Sequence, residues 1–189
     1  MEFTWRSKIC VHWLSQVYKL TGDIIELGCN SGLITIPMAR FLKRKKSNKK
    51  IHSYDCFNGL PYDGGEFDSE FLKKGEIHST YADFCTNIKR YGVYDKVNSN
   101  IGLVENTLEK FDKDRKICFL WFDMDLYEPT LYGVRKLKNQ VIKDGIIGFH
   151  DYGFDQCPGI KKVVKDELNP NMFDIIHLHE TCAFFRKIK

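Results

Sequence analysis

The stretch "DIIELGCNSG", residues 23 to 32, decides the fold, because a short apolar run enters a glycine turn with no spacer. Ile24, Ile25 and Leu27 suit a buried strand, and the chain from Gly32 to about Arg44 suits a helix with Ile34, Met38, Ala39 and Phe41 on one face. Small residues at such a turn let backbone approach a ligand closely, and the free amides of the helix start favour an anionic or carboxylate group. A nicotinamide dinucleotide site wants G-x-G-x-x-G, whereas this turn offers Gly28, then Asn30, then Leu33, and so lacks two of the three glycines. A strand-to-helix turn that binds nothing is the alternative reading.

Outward from this turn, strand and helix patterns alternate along the chain, which predicts a parallel sheet with crossover helices. Further strands are expected at 50–55, 96–102, 116–123 and 144–151, with helices near 77–91, 130–141 and 158–168, the last opening on Pro158. "MFDIIHLH" and "CAFFRKIK" are separated only by Glu180 and Thr181, too short a link for a crossover, so they should form an antiparallel hairpin. The expected fold class is α/β: a Rossmann-like, seven-stranded, mostly parallel sheet with helices on both faces and a C-terminal antiparallel hairpin. Residues 56 to 75 carry aromatics among Gly, Pro and acids and read as a long functional loop or lid.

With 189 residues, 43% of them hydrophobic, the chain fits a single domain over 1–189 with its own core. Residues 1–21 read as an amphipathic N-terminal helix rather than a cleaved signal, and no run reaches membrane-span length. The seven cysteines are odd in number and contain no CxxC pair, which argues against a disulfide framework or zinc cage and for a cytoplasmic setting. The net charge of +4 is mild; its densest part, "KRKKSNKK" at 43–50, reads as a solvated helix end, with phosphate contact as the alternative.

A second stretch, "WFDMDLYEP" at 121–129, sets Asp123 and Asp125 at the end of an apolar strand. Negative charge there calls for something at the strand end that needs it. The fifth strand ends in His150 and Asp151, so neighbouring parallel strands would bring Asp123, His150 and Asp151 to one rim, and oxygen-rich sets of this kind take hard divalent cations. Asp125 should point away from Asp123 by strand alternation and hold the next turn, with Tyr127, Glu128 and Pro129 shaping a pocket wall. Asp55, ending the second strand, stands where a nucleoside cofactor's ribose hydroxyls would be held. Acids that merely cap the following helices are the plain alternative for all of these.

The strand count resembles the class I S-adenosylmethionine-dependent methyltransferase fold, and Glu26, Gly28 and Gly32 match its acid-and-glycine turn with Asn30 in place of the middle glycine. "FDMDLYEPT", "GIIGFHDYGFDQCPGIKKVVKDE", "DCFNGLP" and "KKGEIHSTYADFCTNIKRYG" are similar to segments of the macrocin O-methyltransferase family, from about residue 22 to 168. The resemblance implies S-adenosylmethionine as cofactor, bound by Glu26, Gly28, Asn30, Ser31, Gly32, Asp55, Phe57 and Asp123. It also implies a divalent metal, Mg or Mn, on Asp123, His150 and Asp151, with Asp123 and His150 as catalytic residues. His150 departs from the paired Asp of close family members; imidazole suits Zn, Mn or Fe better than Mg, and a metal-free enzyme with His150 as base stays open.

The implied reaction methylates a hydroxyl of a sugar or glycosylated small molecule. A catechol-type acceptor and a noncatalytic or RNA-binding relative are the competing readings, although nucleic acid is not expected as a partner. Dimerisation through the N-terminal helix is an expectation only. His78 is a second candidate base near the lid, with a helix-surface position as its plain alternative, and His12, His52, His177 and His179 read as structural or solvent-facing.

Overall fold

The computed structural model describes residues 4–189; the first three residues of the expected N-terminal helix lie outside the described residues. Helix α1 is Trp5–Val17, followed by β1 (Asp23–Leu27), α2 (Thr35–Arg44), β2 (Ile51–Asp55), α3 (Tyr81–Arg90) and β3 (Val97–Ile101). Then come the short α4 (Val104–Thr107), β4 (Ile117–Phe122), α5 (Tyr127–Leu137), β5 (Val141–Phe149), α6 (Pro158–Glu167), β6 (Phe173–His179) and β7 (Cys182–Lys187). The strands form one sheet in the order β3-β2-β1-β4-β5-β7-β6. β1 to β5 run parallel, and β7 pairs antiparallel with both β5 and β6. The expected mixed fold is therefore present, and strand order reverses between β1 and β4.

Side-chain alternation in β4 explains the two-sided core. Leu120 and Phe122 face α4, α5 and α6 with Ile25, Leu27 and Phe149, while Phe119 and Trp121 face α1, α2 and α3 with Ile24 and Ile146. All six β4 residues are buried, which is why that strand reads as continuously apolar. Gly148 of β5 leaves room for this packing, since a Cβ there would lie 2.7 Å from both Trp121 and Phe184. The seven cysteines are free, and no helix among the described residues is long and apolar enough to cross a membrane.

Several boundaries differ from expectation for local reasons. α3 begins at Tyr81 rather than 77, because Ile77 has φ 56° and Thr80 with Asp83 forms a capping box. His78 thus lies in an exposed loop, not on a helix. α5 begins at Tyr127, earlier than expected, where Asp68 of the preceding long loop accepts the Tyr127 amide at 2.8 Å. β5 starts at Val141, and His150 and Asp151 are the first two residues beyond it.

Residues 56–80 contain no helix or strand, yet they are fastened to the body. Leu60 and Leu72 enter the core, the Phe67 ring packs 4.7 Å from that of Tyr127, and the Tyr62 hydroxyl donates to Glu105 at 2.6 Å. The lysine run is partly structural as well. Lys43 donates to the Gly92 carbonyl at 2.7 Å, and Lys49 donates to the carbonyls of Leu20 and Gly22.

Candidate active site

The site lies at the carboxyl ends of β1, β2, β4 and β5, around the strand-order reversal, where open α/β sheets place their ligands. After β1, the amides of Gly28 and Cys29 both donate to the Tyr54 carbonyl, at 2.9 and 3.3 Å. Gly28 has φ 83°, and a Cβ on it would lie 1.9 Å from the Asp123 carbonyl oxygen, so this position admits only glycine. Asn30 takes φ 43°, a left-handed conformation that Asn tolerates better than most residues, which accounts for its standing where a glycine was expected.

Asp55 organises the turn. Its Oδ2 accepts the Asn30 amide and its Oδ1 the Phe57 amide, each at 2.7 Å. Burial raises its pKa above the ordinary carboxylate value, and those two amides oppose the rise. Glu26 is buried; its Oε2 accepts from Thr35 Oγ1 at 2.5 Å and Ser53 Oγ at 3.1 Å. Burial pushes this carboxyl up to about 8, and Oε1 has no partner. A buried acceptor without a partner beside a glycine turn fits a cationic, donor-bearing ligand such as S-adenosylmethionine.

These groups border a cavity of about 310 Å³. Of the residues expected to hold the cofactor, Glu26, Gly28, Asn30, Ser31, Asp55 and Asp123 line it. Gly32 and Phe57 do not. Gly32 shapes the turn at φ 93°, and the Phe57 ring packs against Tyr81 and Phe84, leaving its amide as its link to the site through Asp55. Pro129 lines the cavity, whereas Tyr127 and Glu128 stay outside it.

Beside the cavity, Asp123, His150 and Asp151 converge, with one donor atom of each within 4.8 Å of the others. His150 Nδ1 stands 2.6 Å from Asp151 Oδ1 and 3.0 Å from Asp123 Oδ1, and its Nε2 lies 3.2 Å from Thr181 Oγ1. Burial lowers the His150 pKa, but the bonds to Asp123 and Asp151 outweigh this and raise it to about 9. Asp151 is 2% exposed, and its Oδ2 has no partner. Two carboxylates and one imidazole, with a buried oxygen to spare, are a donor set that fits a divalent cation.

Sequence reasoning missed two residues here. Asp125 lines the cavity instead of turning away, because alternation requires extended backbone and Asp125 has φ 61°. Burial, then Asp151 and Asp123, lift its carboxyl to about 8. Arg6 of α1 reaches the cluster from 117 residues away, with Nη1 at 3.4 Å from Asp123 Oδ2, and nothing in its local sequence marks it. His52 instead stands beside Asp23 and Arg115, away from this cluster.

A sheet of this order, with an acid and glycine turn after β1 and an acid ending β2, defines a class I S-adenosylmethionine-dependent methyltransferase. Residues 10–187 match the family described as Macrocin-O-methyltransferase (TylF), and the chain belongs to that family. It is accordingly an enzyme of O-methyl transfer. Among solved structures, it is similar to CalS11, a calicheamicin methyltransferase also described as a TDP-rhamnose 3'-O-methyltransferase, with a TM-score of 0.81 and 19% identity over 96% of this chain and 78% of that one. The O-methyltransferase NovP gives 0.80 and 22% over 97% and 78%, and the SAH-bound Podospora anserina methyltransferase PaMTH1 gives 0.69 and 16% over 100% and 80%. At these identities the likeness shows the fold. No curated protein matches the chain at a significant level.

Proposed function

We propose that the protein transfers a methyl group from S-adenosylmethionine to a hydroxyl of a sugar or glycosylated small molecule, assisted by a divalent metal. The observation that carries this reading is the position of Asp123, which lines the cofactor cavity and also stands 3.0 Å from His150 in the cluster. One residue thus joins the place for a methyl donor to the place for a Lewis acid. The family's description and the sugar substrate named for CalS11 support a glycosidic acceptor.

The turn at Gly28, Asn30 and Ser31, with Glu26 and Asp55, would hold the cofactor, and Asp123, His150 and Asp151 would hold the metal. When bound, the cofactor would supply an electrophilic sulfonium methyl, and the metal would supply Lewis acidity toward the acceptor hydroxyl. The chain's own task is to orient that hydroxyl and take its proton. Asp125, a carboxyl that lines the cavity beside Asp123, His150 and Asp151, is placed to receive it. The acceptor oxygen gains the C–O bond, the electron pair of the broken C–S bond stays on sulfur, and the proton passes to the carboxylate.

Isothermal titration of S-adenosylmethionine with and without Mg²⁺ or Mn²⁺, on wild type and Asp123→Ala, tests the reading. Cofactor binding in both proteins within a few fold, metal binding and glycoside methylation only in wild type, is the expected result. No cofactor binding under any condition, or turnover of catechols but no glycoside, would overturn it. The Arg6 guanidinium against Asp123 favours a second reading, metal-free transfer in which His150, raised to about 9, first sheds its proton and then takes that of the acceptor; full activity in excess EDTA that rises towards pH 9 would select it.

A further inference from the structure

We propose that Arg6 is a built-in cation that competes with a divalent ion for Asp123 and His150, so that metal affinity is set from helix α1. The inference rests on the metal-assisted reading above and says how that site is regulated. Arg6 Nη1 lies 3.4 Å from Asp123 Oδ2 and at nearly equal distances, 3.2 and 3.1 Å, from the two ring nitrogens of His150. Equal distances set the guanidinium beside the imidazole, between its nitrogens, rather than in line with either. Asp123 and His150 are also two of the three residues whose donor atoms converge for a metal.

A guanidinium keeps its charge at every working pH, so it cannot make way for a metal by losing a proton. A divalent ion accepting these donors has to share them with that fixed charge or displace the arm. The arm's placement is not incidental to α1. Ser7, Cys10, Leu14 and Val17 are buried along one side of the helix, and the Thr4 side chain caps its first turn by accepting the Ser7 amide at 3.3 Å. The anchored helix therefore delivers Arg6 to the rim of the cavity that Arg6 itself helps to line. The arm is 23% exposed, so it has solvent to swing into when a metal takes its place.

Titration of Mn²⁺ followed by electron paramagnetic resonance, on the full chain and on Arg6→Met and Arg6→Gln, reads this directly. Both neutral variants should bind Mn²⁺ about tenfold more tightly than wild type, because a like charge is removed from the ligand set. Damage to the fold would weaken binding, so a gain is not a structural side effect, and two variants guard against one that fails to fold. Unchanged or weaker Mn²⁺ binding in the neutral variants, with wild type still binding, would overturn the role of Arg6 alone. No Mn²⁺ binding by any of the three proteins, with S-adenosylmethionine present or absent, would overturn the metal-assisted reading and this inference together.

Discussion

Asp68 Oδ1 accepts the amide of Tyr127 at 2.8 Å, so the first turn of α5 is capped by a residue 59 positions earlier in the chain. The other oxygen of Asp68 accepts the Gly65 amide at 3.1 Å, which ties the cap to the loop's own turn. Replacing Asp68 with Ala should cost about 1 kcal/mol, as the loss of a helix cap does. Thermal denaturation reads the cost, and limited proteolysis should show cleavage within residues 56–80 faster than in wild type. An unchanged cleavage rate would mean that Leu60, Leu72 and Phe67 hold the loop without the cap.

Gly28→Ala is expected to abolish cofactor binding and lower stability. Its Cβ would collide with the Asp123 carbonyl oxygen, a backbone atom held in place because the Asp123 amide donates to Leu27 at 2.9 Å. Titration with S-adenosylmethionine and a melting curve test this together. Wild-type affinity in the alanine variant would contradict the geometry of the turn.

Gly148→Ala probes the sheet rather than the site. The added methyl meets Trp121 and Phe184, whose rings stack 5.5 Å apart, so overpacking should cost roughly 1–3 kcal/mol. Chemical denaturation should show the midpoint falling with an unchanged slope.

Glu26 gives the protein a defined pH response. Its folded pKa of about 8 lies above the ordinary value of 4.5, so the folded state holds a proton that the unfolded state releases between those two values. Stability from this group is complete below about pH 4.5, falls as pH rises towards 8 and is flat above it. Glu26→Gln carries no such proton. Melting temperatures without cofactor should therefore drop more between pH 5 and pH 8 in wild type than in the variant, and parallel curves would refute the assignment.

The sheet was legible because its signals are local. Apolar strands such as 117–122 and the two-residue link at Glu180 and Thr181 leave few topologies open. The strand-end residues Asp55, Asp123, His150 and Asp151 could be found for the same reason, since a parallel strand brings its carboxyl end to a known rim. What could not be read depends on single torsions or on distant chain. Asp125 is brought to the cavity by one left-handed residue, and Arg6 by the packing of α1 on the far side of the sequence. The resemblance places Phe57 among the cofactor residues; its ring packs against Tyr81 and Phe84, and its amide reaches the site through Asp55, a division between ring and backbone that no local pattern encodes.

The place of β7 between β5 and β6 has a consequence for synthesis. Until residues 182–187 have left the ribosome, the free edge of β5 has no partner, and the Thr181 hydroxyl is not yet seated 3.2 Å from His150. Strands β1 to β4 and the glycine turn are all made earlier, so the segments that line the cavity precede the hairpin whose turn reaches His150. The last contact that the cluster gains is thus made by the turn of the hairpin, after every strand that borders the glycine turn has been synthesised.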